Sequence, residues 1–199
     1  MILHVAKVLG SDGIITTDVG QHQMRVAQVY PFREPRRWLT SGGLGTMGFG
    51  LPAAIGAALA KPDETVVCFS GDGSLLMNVQ EICTAVENHL NVKIVLQNNH
   101  GLGLVHQQQD LFYGSRFSAS KYSGSPDFVR MAEAFGMKAY DLKLADDAGA
   151  MLEEALAEHG PALIHAPVAV EEKVFPMVPP GAANHQTLEE MPHAVAGQI

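Results

Sequence analysis

Two short strings carry oxygen and amide groups at a spacing suited to holding a metal and a phosphate: Gly71-Asp72-Gly73 and Asn98-Asn99. The first follows the apolar run Thr65-Val66-Val67-Cys68-Phe69 and the second follows Val92-Lys93-Ile94-Val95-Leu96, so each closes a strand-like segment. Parallel strands of one sheet deliver both strings to the same edge. Magnesium takes hard oxygen ligands in near-octahedral geometry and keeps bonds to phosphate. The Asp72 carboxylate, the Asn99 side chain and the Gly101 carbonyl supply half of such a shell, which a diphosphate can close. The amides of Gly73 and Ser74, at a helix start, direct positive partial charge at the same phosphates. Alone, Gly-Asp-Gly is usually only a tight turn. The Asn-Asn partner makes it a candidate site.

The flanking sequence predicts the elements that must hold these strings. Extended segments at Ile14–Thr17, 65–70, 92–97 and 162–166 alternate with helical stretches near 21–29, 52–60, 74–88, 126–135 and 146–158. Such alternation predicts a doubly wound α/β fold, a mainly parallel sheet with helices on both faces. Ser74 is the expected N-cap of a helix running to Asn88, with Leu76, Val79, Ile82, Cys83 and Val86 on its apolar face. Tyr113 to Ser125 reads as linker, and Pro179-Pro180-Gly181 as the start of irregular structure. The expected organisation is one domain over 1–175 and a tail over 176–199.

A rival reading comes from Gly43-Leu44-Gly45-Thr46-Met47-Gly48, a literal match to the glycine fingerprint of nicotinamide dinucleotide-binding folds, with Asp72 near the place of a ribose-binding acid. The preceding Arg36–Ser41 segment is a poor buried strand, and the rival gives no reason for Asn98-Asn99. Zinc-type histidine spacing, a Gly-x-Ser-x-Gly elbow and a Cys-x-x-Cys pair are all missing from the sequence.

Composition narrows the functional classes. The chain has 199 residues, enough for a substantial core, and a net charge of -8 that argues against a nucleic-acid surface. No apolar run approaches the ~20 residues of a membrane span, and Met1–Lys7 does not read as a signal peptide. Cys68 and Cys83, far apart, are expected as small core residues of a reducing, cytoplasmic compartment.

The strings in their wider context resemble acetolactate synthase (acetohydroxyacid synthase) large subunits, which use thiamine diphosphate. The resemblance is carried by Gly71-Asp72-Gly73 with Asn98-Asn99, by Asp18-Val19-Gly20-Gln21-His22-Gln23-Met24, by the 40–54 segment around Gly45 and Met47, by Gly103-Leu104-Val105-His106-Gln107-Gln108-Gln109, and by Glu171–Ala182. It covers nearly all of this chain but only the C-terminal third or so of the family's chain, the pyrophosphate-binding domain. The resemblance implies magnesium at Asp72, Asn99 and the Gly101 carbonyl. It places Gly20, Gln21 and His22 on one side of the diphosphate and Gly73 and Ser74 on the other, with Gly103 and Leu104 as further cofactor contacts. The Gly45 carbonyl would accept a hydrogen bond from the aminopyrimidine, and Met47 would be the wedge that bends the cofactor; by residue type alone, Met47 is a flexible core filler.

The implied reaction is decarboxylation of pyruvate and condensation of the remaining two-carbon unit with a second 2-oxo acid, the acetolactate step of branched-chain amino acid biosynthesis. The family's activating glutamate comes from the pyrimidine-binding domain of a neighbouring subunit, so a homo-oligomer is implied and this chain alone is expected to be inactive. FAD, carried by many family members, would bind mostly to a middle domain outside this chain. A small regulatory subunit is a further implied partner. Gln108 stands where many members have a Trp that shapes the second-substrate pocket. The sequence leaves open two other identities: the C-terminal subunit of a split thiamine-dependent enzyme, and a non-catalytic relic of the fold.

Overall fold

A computed structural model describes residues 1–10 and 13–191 of the chain. In chain order the elements are α1 (Ile2–Leu9), β1 (Ile14–Thr17), α2 (Gln21–Val29), β2 (Trp38–Thr40), α3 (Gly50–Ala60), β3 (Val66–Gly71), α4 (Asp72–Leu75), α5 (Ile82–Glu87), β4 (Val92–Asn98), α6 (Gly103–Phe112), α7 (Phe128–Ala134), β5 (Lys138–Asp141), α8 (Ala148–Ala157) and β6 (Ala162–Pro167). Short 3-10 turns lie at Val79–Glu81 and Asn184–Gln186.

The six strands form one sheet in the order β2-β1-β3-β4-β6-β5, and every pairing is parallel. Strand alternation splits the core in two. Ile14, Val66, Cys68, Ile94, Leu96 and Leu163 pack under α3, α5 and α7, while Ile15, Val67, Phe69, Val95 and Ile164 pack under α1, α2 and α8. Helices therefore cover both faces, as the sequence alternation predicts. Both faces being covered also explains why the central strands read as unbroken apolar runs.

Lys93 interrupts one such run. Its side chain is fully buried, and the amine donates to the carbonyls of Glu158, at 2.6 Å, and Gly160, just past the end of α8. A charged stem thus satisfies orphan carbonyls at a helix C-terminus.

Several expectations need correction. The helix predicted over 74–88 is broken into one turn at Asp72–Leu75, a 3-10 turn and a short helix. Ser74 is not its N-cap: Gly71 takes that position, and the Ser74 hydroxyl donates instead to the Val19 carbonyl at 2.9 Å. The break turns Leu76 and Cys83 to solvent, so Cys83 is not a core residue. Trp38–Thr40 does form a strand, but a half-buried one at the sheet edge. Helices over 128–134 and 148–157 start later than predicted because Asp127 and Asp147 cap them, accepting hydrogen bonds from Arg130 and from Gly149 and Ala150.

The 113–125 segment is irregular yet anchored. Lys121 pairs with Gly101 in an antiparallel bridge, and the amides of Leu102 and Tyr122 donate to Ser120 and His100. Farther on, Val174 and Met177 are buried against the domain, and Met177 pairs with Leu188. Among the described residues no helix is long and apolar enough to cross a membrane.

Candidate active site

The chain leaves β1 for the edge strand β2 and then returns past β1 to place β3 on its other side. Such a reversal opens a crevice at the carboxyl ends of the two strands, where open α/β sheets take their ligands. A cavity of about 520 Å³ lies at this point, walled by the segments that follow β1, β3, β4 and β6 and by residues 172–174. Gly20, Gln21, His22, Gly45, Met47, Asp72, Gly73, Ser74, Asn99, Gly101, Gly103 and Leu104 all line it. Gln108 does not; it lies half-buried on α6 outside the lining.

Asp72 is nearly fully buried, at 2% exposure, and each of its carboxylate oxygens has a fixed partner. Oδ1 accepts from the Gly73 amide at 2.9 Å and Oδ2 from the Gly101 amide at 3.0 Å. The second bond ties the end of β3 to the loop after β4, made adjacent by the pairing of Gly71 with Gln97. Burial pushes the carboxyl above its ordinary pKa, and the two amides oppose that shift. A cation here would reverse the balance.

Two glycines are needed for space. A side chain at Gly103 would collide with the Gln21 amide oxygen and the Asn99 amide nitrogen, and one at Gly73 would meet the Tyr122 hydroxyl and Leu102. The helix at Gly73 is a single turn, so it offers backbone amides rather than a developed macrodipole.

The opposite wall is the start of α2. His22 is buried, its Nε2 has no hydrogen-bond partner, and burial lowers its pKa to about 4 against an opposing hydrogen bond that the ring donates to the Asp18 backbone carbonyl. A buried imidazole nitrogen without a partner, in the wall of a cavity, suits a polar ligand. Gln21 donates to Gln107 Oε1 at 2.8 Å and to the Glu172 carbonyl at 3.0 Å.

Asp18 is a site residue the sequence reading missed. Fully buried at the end of β1, it accepts from the Gly48 amide at 2.7 Å and from its neighbour Val19 at 3.0 Å. It thereby clamps the loop that carries Gly45 and Met47. The signal was available: Asp18 ends its strand as Asp72 ends the next. Gln107, Ser120 and Tyr122 were also missed, and no local pattern distinguishes them.

The donor set fits the groups inferred from sequence. One carboxylate, one amide side chain and a backbone carbonyl are hard oxygen donors suited to magnesium. Among the described residues no three His, Cys, Asp or Glu side chains converge, which a soft-metal site would need. The orphan His22 nitrogen and the backbone amides beside Asp72 fit a diphosphate.

Comparison with known proteins supports a thiamine diphosphate cofactor. Residues 18–166 match the family described as thiamine pyrophosphate enzyme, C-terminal TPP binding domain. The chain is 60% identical over 190 residues to the acetolactate synthase isozyme 1 large subunit of Escherichia coli (strain K12), covering 96% of this chain and 34% of that protein. It is 48% identical to the isozyme 2 large subunit of the same organism, covering 91% and 33%. The acetolactate synthase large subunit of Porphyra purpurea is 45% identical, covering 94% and 32%. The chain thus spans about a third of the length of the curated relatives it matches. The match takes in Asp18, Asp72 and Asn99 together, and the chain belongs to the thiamine pyrophosphate enzyme family, as a C-terminal TPP-binding domain of the kind found in acetolactate synthase large subunits.

Proposed function

We propose that this chain is the cofactor-holding part of an acetolactate synthase, binding thiamine diphosphate through magnesium. The observation that carries the reading is the Asp72 carboxylate, buried and held by the amides of Gly73 and Gly101 beside Asn99. Asp72, the Asn99 side chain and the Gly101 carbonyl would hold the metal. Gly73 and Ser74 would bind the diphosphate from one side, and Gly20, Gln21 and His22 from the other. Bound thiamine diphosphate supplies the electron sink for decarboxylating a 2-oxo acid.

The chain's own residues orient that chemistry. Asp18 holds Gly48, and Asn78 donates to the Gly48 carbonyl at 2.6 Å, so the Gly45–Met47 turn is fixed from two sides. In this reading the Gly45 carbonyl would accept a hydrogen bond from the cofactor's amino group, and Met47 would pack against the cofactor. Residues 172–174 and Leu104 form the remaining wall.

The substrates in this reading are pyruvate and a second 2-oxo acid. The activating carboxylate belongs to the pyrimidine-binding domain of a neighbouring subunit in a homo-oligomer, so the isolated 199 residues form little or no acetolactate. FAD and a small regulatory subunit belong to other parts of such an assembly. The resemblance alone connects Gln108, which lies outside the cavity lining, with the second substrate: in the assembled enzyme, Gln108→Trp should raise the preference for 2-oxobutyrate over pyruvate as acceptor, and an equal preference would remove that role.

Calorimetry of the assembled enzyme tests the reading. Thiamine diphosphate should bind only with magnesium present, and Asp72→Ala should abolish that binding while the variant keeps its melting cooperativity. Magnesium-independent binding, or unchanged affinity in Asp72→Ala, would sink it.

A further inference from the structure

The loop after β4 carries Asn99 and Gly101, yet a polar chain begins there that runs away from the cavity. The His100 amide donates to Asn98 Oδ1 at 3.1 Å. Asn98 Nδ2 lies 3.1 Å from His165 Nε2, and His165 Nδ1 lies 2.9 Å from Asp141 Oδ1. Asn98 and Asp141 end β4 and β5, and His165 lies two residues before the end of β6, the strand between them in the sheet.

The polarity of this chain is fixed by one backbone group. An amide N–H can only donate, so Asn98 must turn its oxygen to His100 and its NH2 to His165. His165 Nε2 must then accept, which leaves the imidazole proton on Nδ1, donating to Asp141. Asp141 is set in turn by the Lys143 amide, at 3.0 Å. Asn98 is buried, and the His165 and Asp141 side chains are 15% and 21% exposed. His100 itself has a left-handed φ of 57°, a conformation that a non-glycine residue holds only under support from its surroundings.

We propose that Asp141, His165 and Asn98 form a positioning relay that sets the conformation of the 98–101 loop and hence its hold on magnesium. None of the three need touch cofactor or substrate; each acts through the next. This inference rests on the assignment of Asn99 and Gly101 as metal ligands. Outer hydrogen-bond partners of metal sites typically contribute 10–100-fold to metal affinity.

The test uses the assembled enzyme with two relay variants, His165→Leu and Asp141→Ala, and the conservative Asp141→Asn, which keeps an acceptor oxygen. Half-saturation of thiamine diphosphate binding should need about tenfold more magnesium in the first two variants, with kcat at saturating magnesium little changed. Asp141→Asn should stay within about twofold. Without ligands, deuterium uptake in a peptide covering 98–102 should quicken in His165→Leu and Asp141→Ala alone. Unchanged magnesium dependence in folded variants overturns the proposal, whether or not uptake quickens. If His165→Leu fails to fold, Asp141→Ala, on the partly exposed edge strand, decides. Absence of magnesium-dependent binding in the parent enzyme would instead remove the metal-site reading, and uptake in the 98–102 peptide would then judge the relay by itself.

Discussion

Gln21 and Gln107 meet end to end, the Nε2 of the first donating to the Oε1 of the second at 2.8 Å, and this pair joins the cofactor wall to the C-terminal segment. Gln107 is fully buried. Its Oε1 also accepts from the Val174 amide, and its Nε2 donates to the Val174 carbonyl, both at 2.9 Å. One side chain thus completes a strand-like pairing for a residue outside the sheet.

Replacing Gln107 by Leu leaves both Val174 backbone groups without partners in a buried place and removes one of the two acceptors of the Gln21 amide. Each orphaned group costs about 1–3 kcal/mol, so Gln107→Leu should lose roughly 3 kcal/mol of stability in urea titration. Residues after 171 should also become more sensitive to protease than in the parent. A loss under about 0.5 kcal/mol would mean the segment is held elsewhere, for example by Arg25 on the Lys173 carbonyl or by the Lys173–Asp110 ion pair.

Gly103→Ala probes the placement of Gln21 and Asn99 in the cavity wall. The added methyl would strike the side-chain amides of Gln21 and Asn99. Both can swing into the cavity, so the fold should survive with thermal stability within a few degrees of the parent. Thiamine diphosphate affinity should fall at least tenfold. Equal affinity would show that Gln21 and Asn99 need not hold their observed positions.

His22 gives the ligand-free protein a defined acid response. Its folded pKa of about 4 lies below the unfolded value near 6.5. Between those values the unfolded chain binds a proton that the folded chain refuses, so stability is complete above about pH 6.5 and declines as pH falls toward 4. The shift corresponds to roughly 3 kcal/mol. Denaturation curves at pH 7 and pH 4.5 should differ less in His22→Gln than in the parent, and parallel losses would assign the acid sensitivity to other groups.

The two cysteines should separate cleanly under a thiol reagent. Cys83 is exposed, whereas Cys68 lies in the sheet with its pKa pushed up to about 12 by burial. Only the thiolate reacts readily. One equivalent should label the native protein, at Cys83, and the second only after denaturation. Rapid labelling of Cys68 in the native state would mean that β3 opens locally.

The central strands were legible because β3, β4 and β6 are buried on both faces and so appear as continuous apolar runs, and α2, α3, α7 and α8 follow the expected alternation, whereas α1 and α6 were not predicted. The adjacency of the Gly71–Gly73 and Asn98–Asn99 strings was legible because strand ends and glycines mark themselves. The helix at 74–88 was misread because apolar spacing says nothing of the turn at 76–81, where Asn78 reaches back to Gly48 and breaks the helical ladder. Strand β5 was missed because Lys138–Asp141 is short and only partly buried. Asp141 and His165 were invisible as partners of Asn98, since the contact depends on strand order across the sheet and not on spacing along the chain.

That strand order has a consequence for how the site comes into being. Its walls are drawn from Val19 at one end and Val174 at the other, with β3 and β4 between them. No hairpin or single strand–helix unit holds a usable part of it. The cavity is therefore complete only when β6 is docked beside β4 and the chain beyond it is closed over Gln107. A ligand that binds there senses the whole domain at once. Cofactor at 100 times its dissociation constant would add about 2.7 kcal/mol to the stability of the entire unit, making occupancy a report on complete assembly rather than on any local element.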